Sequence, residues 1–108
     1  MLQFELYVPV VDNNGRPYPS VQTAVEKALL DKFGGYTCYS TRGGYVGKDN
    51  ARIIEIVYVY RILADDSSLG RIRFAEDTIS RIANYVKAEL HQESVLVTQQ
   101  AISATFLQ

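Results

Sequence analysis

Arg52-Ile53-Ile54-Glu55-Ile56-Val57-Tyr58-Val59-Tyr60-Arg61-Ile62-Leu63 is the stretch on which the fold turns. Ile54, Ile56, Tyr58, Tyr60 and Ile62 alternate with Glu55, Val57, Val59 and Arg61, and a period of two is the mark of a strand. The first set carries no charge and is expected to face the core. The second is amphipathic and is expected to project from the opposite side. Immediately downstream, Asp65-Asp66-Ser67-Ser68 offers N-caps and acidic residues suited to a helix start. The period then changes. Ile72, Ala75, Ile79, Ile82, Val86 and Leu90 share one side of a helix that runs to about His91. A last strand is expected from near Ser94 through Val97.

Upstream of the long strand, a turn around Gly47 to Asn50 follows a strand expected from near Tyr36 toward Tyr45, where Gly43-Gly44 marks a bulge or a strand end. Before it, Val21, Ala24, Val25, Ala28, Leu29 and Phe33 predict a helix from Val21 to Phe33. Ser20 is its expected N-cap, and Gly34 stands where a left-handed C-terminal cap belongs. The first strand covers about Gln3 to Val10. Asn14-Gly15 is a hairpin signal, but Pro17 and Pro19 would each remove a ladder donor, so a loop is expected there.

Strand, helix, strand, strand, helix, strand is the split βαβ, ferredoxin-like arrangement: an α+β fold with a four-stranded antiparallel sheet. Right-handed crossovers give the spatial order 4-1-3-2 with both helices on one face, leaving the other face uncovered. The 108 residues make a single domain, 1–108, and 47% hydrophobic content suffices for a core without staples. The net charge of −1 argues against a nucleic-acid binder, and one cysteine cannot form an internal disulfide. Met1-Leu2-Gln3-Phe4-Glu5 has neither a basic leader nor an apolar run, so no signal peptide or membrane segment is expected and a cytoplasmic protein is the default reading.

From Gly15 onward the chain resembles a bacterial family known only as a domain of unknown function. Gly15-Arg16-Pro17 matches its G-x-P-like segment, and Phe33-Gly34 its aromatic-plus-Gly helix ending. Thr37 and Gly43-Gly44-Tyr45 match a Thr-containing strand leading into G-x-W, with Tyr45 in place of the tryptophan. Glu55 matches a glutamate opening the long strand. Leu90-His91-Gln92-Glu93-Ser94-Val95 matches a closing aromatic-x-Q-E-S-V signature, with Leu90 in place of the aromatic. The resemblance implies a ferredoxin-like fold and no established activity.

Few residues suggest chemistry. His91, the only histidine, sits at a helix C-terminus where a cation complements the macrodipole. Glu93 and Ser94 are expected on opposite sides of a strand, and with Gln92 they are expected to hydrogen-bond the helix end. Glu5 and Glu55 form the better carboxylate pair, because neighbouring strands would place both on the uncovered face near Tyr7. Arg42, Gly43, Gly44 and Lys48 are candidates for holding an anion with backbone amides. Thr41 to Val46 resembles part of the RNA-recognition core motif, but it lies on the second strand and Gly44 replaces an aromatic. Cys38 has no CxxC partner and reads as an inert core thiol. One histidine, one cysteine and no acidic loop leave too few ligands for a metal, and no cofactor is expected.

Eight tyrosines against four phenylalanines suit a surface that is partly covered. Tyr7, Tyr39, Val57, Val59 and Arg61 are the expected interface on the open sheet face. The reading is a small non-catalytic binding or assembly module that self-associates there as a homodimer, burying on the order of 800 Å² per subunit. The alternatives are a cofactor-independent small-molecule enzyme using Glu55, Glu5 and Tyr7, and a single-stranded nucleic-acid binder using Tyr7 and Arg42.

Overall fold

Apolar residues at every second position of Leu2–Pro9 (β1) and of the C-terminal part of Arg52–Ala64 (β3) pair antiparallel, Phe4 facing Ile62 and Leu6 facing Tyr60 across the ladder. Thr37–Val46 (β2) lies outside β3 and Val97–Ala101 (β4) outside β1, so the sheet order is β2-β3-β1-β4, as the crossover rules require. The computed structural model describes residues 1–12 and 14–108, and Asn13 lies outside them. Pro19–Phe33 (α1) packs on β3 and Leu69–Glu89 (α2) on β1 and β3, both on one face. Phe4, Leu6 and Val8 meet Val21, Val25 and Leu29 of α1 and Ala75, Ile79 and Val86 of α2 in one core.

Local signals set most element ends. Ser68 caps α2, its hydroxyl accepting from Arg71 N–H at 3.2 Å, and Gly34 ends α1 at φ 80°. Helix α1 starts earlier than expected. Pro19 occupies its first turn, where a missing N–H costs nothing, and Tyr18 rather than Ser20 is the capping position. The Asn14-Gly15 segment is a loop. Asp12, 4% exposed, accepts Asn14 N–H at 2.9 Å and Arg16 N–H at 2.8 Å through one carboxylate oxygen. Three expectations need correction. Gly43-Gly44 forms neither bulge nor strand end, because the β2–β3 register runs unbroken from Thr37–Arg61 to Val46–Arg52. The last strand begins at Val97, not Ser94. Ile54 and Ile56 are 73% and 57% exposed. The β2–β3 hairpin outruns the helices: thirteen residues of β3 extend about 43 Å, and the molecule is 47 Å along its long axis.

Tyr60 is the largest fully buried side chain. Its hydroxyl donates to Glu26 of α1 at 2.7 Å, and its ring meets Tyr36 edge-on at 5.6 Å. Burial first, then the Glu26 carboxylate, pushes the Tyr60 phenol far above its ordinary range. Because the folded value is raised, the contribution is fully present below the unfolded tyrosine value of about 10 and is lost as pH rises beyond it. Stability measured by urea denaturation should therefore fall by up to ~1.4 kcal/mol per pH unit above about pH 10 from this group. Tyr60→Phe should flatten that slope; an unchanged slope would mean the phenol ionises in place.

Candidate functional site

On the face opposite the helices, the register sets side chains in cross-strand rows. Thr37, Arg61, Glu5 and Thr98 make one row; Tyr39, Val59, Tyr7 and Leu96 the next; Thr41, Val57 and Pro9 the third; Gly43 and Glu55 the fourth. Val57 and Val59 project to this face as alternation requires, yet they are 8% and 1% exposed. Val59 is flanked in its row by Tyr39 and Tyr7, and Val57 by Thr41 and Pro9. The face therefore lacks the open apolar centre expected of a dimer interface.

Glu5 and Glu55 do not meet. The Glu5 carboxylate is engaged by Tyr39, whose hydroxyl donates at 2.5 Å, and by Arg61 Nη2 at 3.2 Å. The Arg61 guanidinium also stacks over the Tyr39 ring, 5.5 Å from its centroid. The Glu5 hydrogen bond raises the Tyr39 phenol, and Glu5 likewise raises Arg61. Glu55 and Arg61 are six positions apart on β3, about 20 Å along the strand. Glu5, Tyr39 and Arg61 form a closed polar cluster of their own.

Glu55 lies in a groove of about 690 Å³ instead. Its floor is Tyr7, Pro9, Ile53 and Val57; Tyr45, Gly47 and Lys48 at the hairpin end form one wall, and Gln92, Glu93, Ser94 and Leu96 the other. The second wall exists because α2 ends early. His91 adopts the left-handed conformation (φ 53°), its N–H donating to Ala88 O at 3.4 Å, and Gln92 N–H donates to Lys87 O at 3.0 Å. These backbone bonds close the helix; of the three residues expected to hydrogen-bond its end, Gln92 does so, its side-chain amide donating to Leu90 O at 3.4 Å. With β4 starting only at Val97, Glu93 and Ser94 sit in coil, where strand alternation does not apply, and both line the groove.

The other candidates separate. Arg42 pairs across from Ile56 on the helix-side face, whereas Lys48 lines the groove and Gly43 and Gly44 are ordinary strand residues, so no anion cradle forms from the four. Arg42 and Tyr7 lie on opposite faces, which removes the geometry of the nucleic-acid reading. Cys38 is exposed, and desolvation raises its thiol, which keeps it protonated. Among the described residues no group of three His, Cys, Asp or Glu side chains is gathered to hold a metal ion. No helix is long and apolar enough to cross a membrane.

Sheet order, helix placement and groove define a small ferredoxin-like protein with a carboxylate-lined site on its open face. No family model matches the chain, and no curated protein does. Solved structures do. A phage SAM lyase in complex with S-methyl-5'-thioadenosine is similar with a TM-score of 0.67 at 16% identity, over 92% of this chain and 79% of the lyase. A phage SAM lyase in the apo state gives 0.67 at 17%, over 99% and 92%. The periplasmic divalent cation tolerance protein CutA from Archaeoglobus fulgidus gives 0.60 at 10%, over 98% and 88%. At these identities the likeness shows the fold.

Proposed function

We propose that the chain is a cofactor-independent enzyme that cleaves S-adenosylmethionine in the open-face groove. The observation that carries this reading is the convergence of Glu55 and Glu93, from two separate elements, on a groove with tyrosines Tyr7 and Tyr45. A sulfonium cation suits that lining, because carboxylates attract it through space and aromatic faces through their quadrupole. Lys48 at the same rim offers an ammonium to the substrate's carboxylate. The likeness of fold to a SAM lyase supports the choice of substrate.

The chemistry needs little from the protein beyond orientation. The substrate's own carboxylate oxygen bonds to the γ-carbon as the carbon–sulfur bond breaks, and that bond's electron pair neutralises the sulfonium. The products are S-methyl-5'-thioadenosine and a lactone, with no proton transferred to the leaving group. Folding the substrate into attack geometry is the proposed role of the two walls. Chromatography of S-adenosylmethionine incubated with the chain should show S-methyl-5'-thioadenosine accumulating above the uncatalysed rate. No product, together with no calorimetric binding of S-methyl-5'-thioadenosine, would sink the reading.

The non-catalytic assembly module, by contrast, has lost its expected working surface. Val57 and Val59 are covered within the chain, and Glu5, Tyr39 and Arg61 satisfy one another. Val57→Lys should accordingly disturb folding, lowering the melting temperature by several degrees, since it buries an unpaired charge. A stable Val57→Lys variant that only dissociates the protein would restore the open face as its interface.

A further inference from the structure

The groove holds three charged side chains, Glu55, Glu93 and Lys48, and among the described residues none of them enters an ion pair or a side-chain hydrogen bond within the chain. Charges elsewhere are matched locally, Arg61 with Glu5 at 3.2 Å and Arg71 with Asp65 at 3.3 Å. Two carboxylates and one ammonium are the inverse of what S-adenosylmethionine carries: a sulfonium, an α-ammonium and one carboxylate. Lys48 is the one cation among the described lining residues, and the β2–β3 turn fixes its backbone. Gly47 N–H donates to Ala51 O at 2.7 Å, and Ala51 N–H donates to Lys48 O at 3.2 Å. This turn closes onto the groove floor, where a Cβ on Gly47 would come 2.6 Å from Ile53 Cδ1. We infer that the groove also takes sulfonium amines, which share the sulfonium and ammonium of S-adenosylmethionine but lack its carboxylate. It holds them uncleaved, as inhibitors, and Lys48 sets the discrimination against them.

Absence of cleavage rests on the lyase reading of the groove; binding rests on charge alone. In the proposed reaction the nucleophile belongs to the substrate. Its carboxylate oxygen reaches the γ-carbon by closing a five-membered ring, and the carbon–sulfur electron pair leaves with sulfur. Decarboxylated S-adenosylmethionine has no such oxygen. Its amine is protonated at neutral pH and would have to close a strained four-membered ring, so the carbon–sulfur bond stays intact. Binding loses the contact with Lys48 but keeps the attraction of Glu55 and Glu93, which then act on a ligand of charge +2 rather than +1. Lys48 therefore works with opposite sign on the two ligands. It attracts the carboxylate of one and repels the dication that lacks it.

Inhibition kinetics and calorimetry with decarboxylated S-adenosylmethionine test it on wild type, Lys48→Gln and Lys48→Arg. Lys48 is exposed, so neither substitution should disturb folding. With wild type, the decarboxylated compound should be recovered intact and should inhibit S-adenosylmethionine cleavage competitively. Lys48→Gln should raise KM for S-adenosylmethionine about tenfold and lower the dissociation constant of the decarboxylated compound about threefold. Lys48→Arg keeps the charge and should leave both near wild type. Opposite shifts cannot come from a general loss of the groove. Cleavage of the decarboxylated compound, no binding of it by wild type, or Lys48→Gln shifting both ligands in one direction overturns the inference. If S-adenosylmethionine binds without being cleaved, the lyase reading fails on its own. The calorimetric constants of the two compounds then decide the rest: opposite shifts in Lys48→Gln sustain the charge discrimination, and parallel shifts overturn it.

Discussion

Glu55→Gln is expected to lower kcat/KM for S-adenosylmethionine by about 10²-fold, equivalent to ~2.7 kcal/mol, while the melting temperature stays where it was. Glutamine keeps the size and shape of the side chain and removes its charge, so a loss reports the electrostatics of the groove rather than its packing. Glu93→Gln, on the opposite wall, should act in the same direction. The double variant should lose less than the product of the two single losses if both carboxylates act on one cation. Glu5→Gln is the control. Its carboxylate is held by Tyr39 and Arg61 outside the groove, so turnover should be unaffected. Equal losses from Glu5→Gln and Glu55→Gln would show that the site spans the sheet and is not the groove described.

Ile62→Ala is expected to destabilise the protomer by about 2–5 kcal/mol, whereas Ile54→Ala should change it by no more than ~0.5 kcal/mol. The two isoleucines belong to one alternating set on one strand, eight residues apart. Ile62 is 2% exposed beneath the helices and would leave a cavity; Ile54 lies where no helix reaches. Chemical denaturation at concentrations low enough to keep chains apart separates these values from any contribution of assembly. Comparable costs at both positions would mean that the hairpin arm is covered within the chain.

The four strands, two helices, their order and their single-sided arrangement were legible because each rests on local rules. Ser68 and Gly34 mark helix ends by capping chemistry, and the change from period two to period 3.6 at Asp65 marks the passage from β3 to α2. Expectations failed where a local pattern needed a distant partner. Gly43-Gly44 suggested a break, but an unbroken ladder with Glu55 and Ile54 holds them in regular strand. Glu5 and Glu55 were expected to act together because they share a face, yet the register puts Glu5 beside Arg61. Strand alternation separates Glu93 from Ser94 only if a strand begins near Ser94, and it begins three residues later, at Val97.

The sequence by itself determined which face each residue of a strand presents, since alternation follows from backbone geometry alone. It also determined the sheet order, because handedness and short connections leave little choice. Only the tertiary structure decided which positions along a face are covered. Coverage depends on how far the helices reach along β3 and on which side chains the register sets in one row. That is why Ile54 and Ile62 differ, why Val59 is buried on a face without helices, and why Glu55 shares a groove with Glu93 rather than with Glu5.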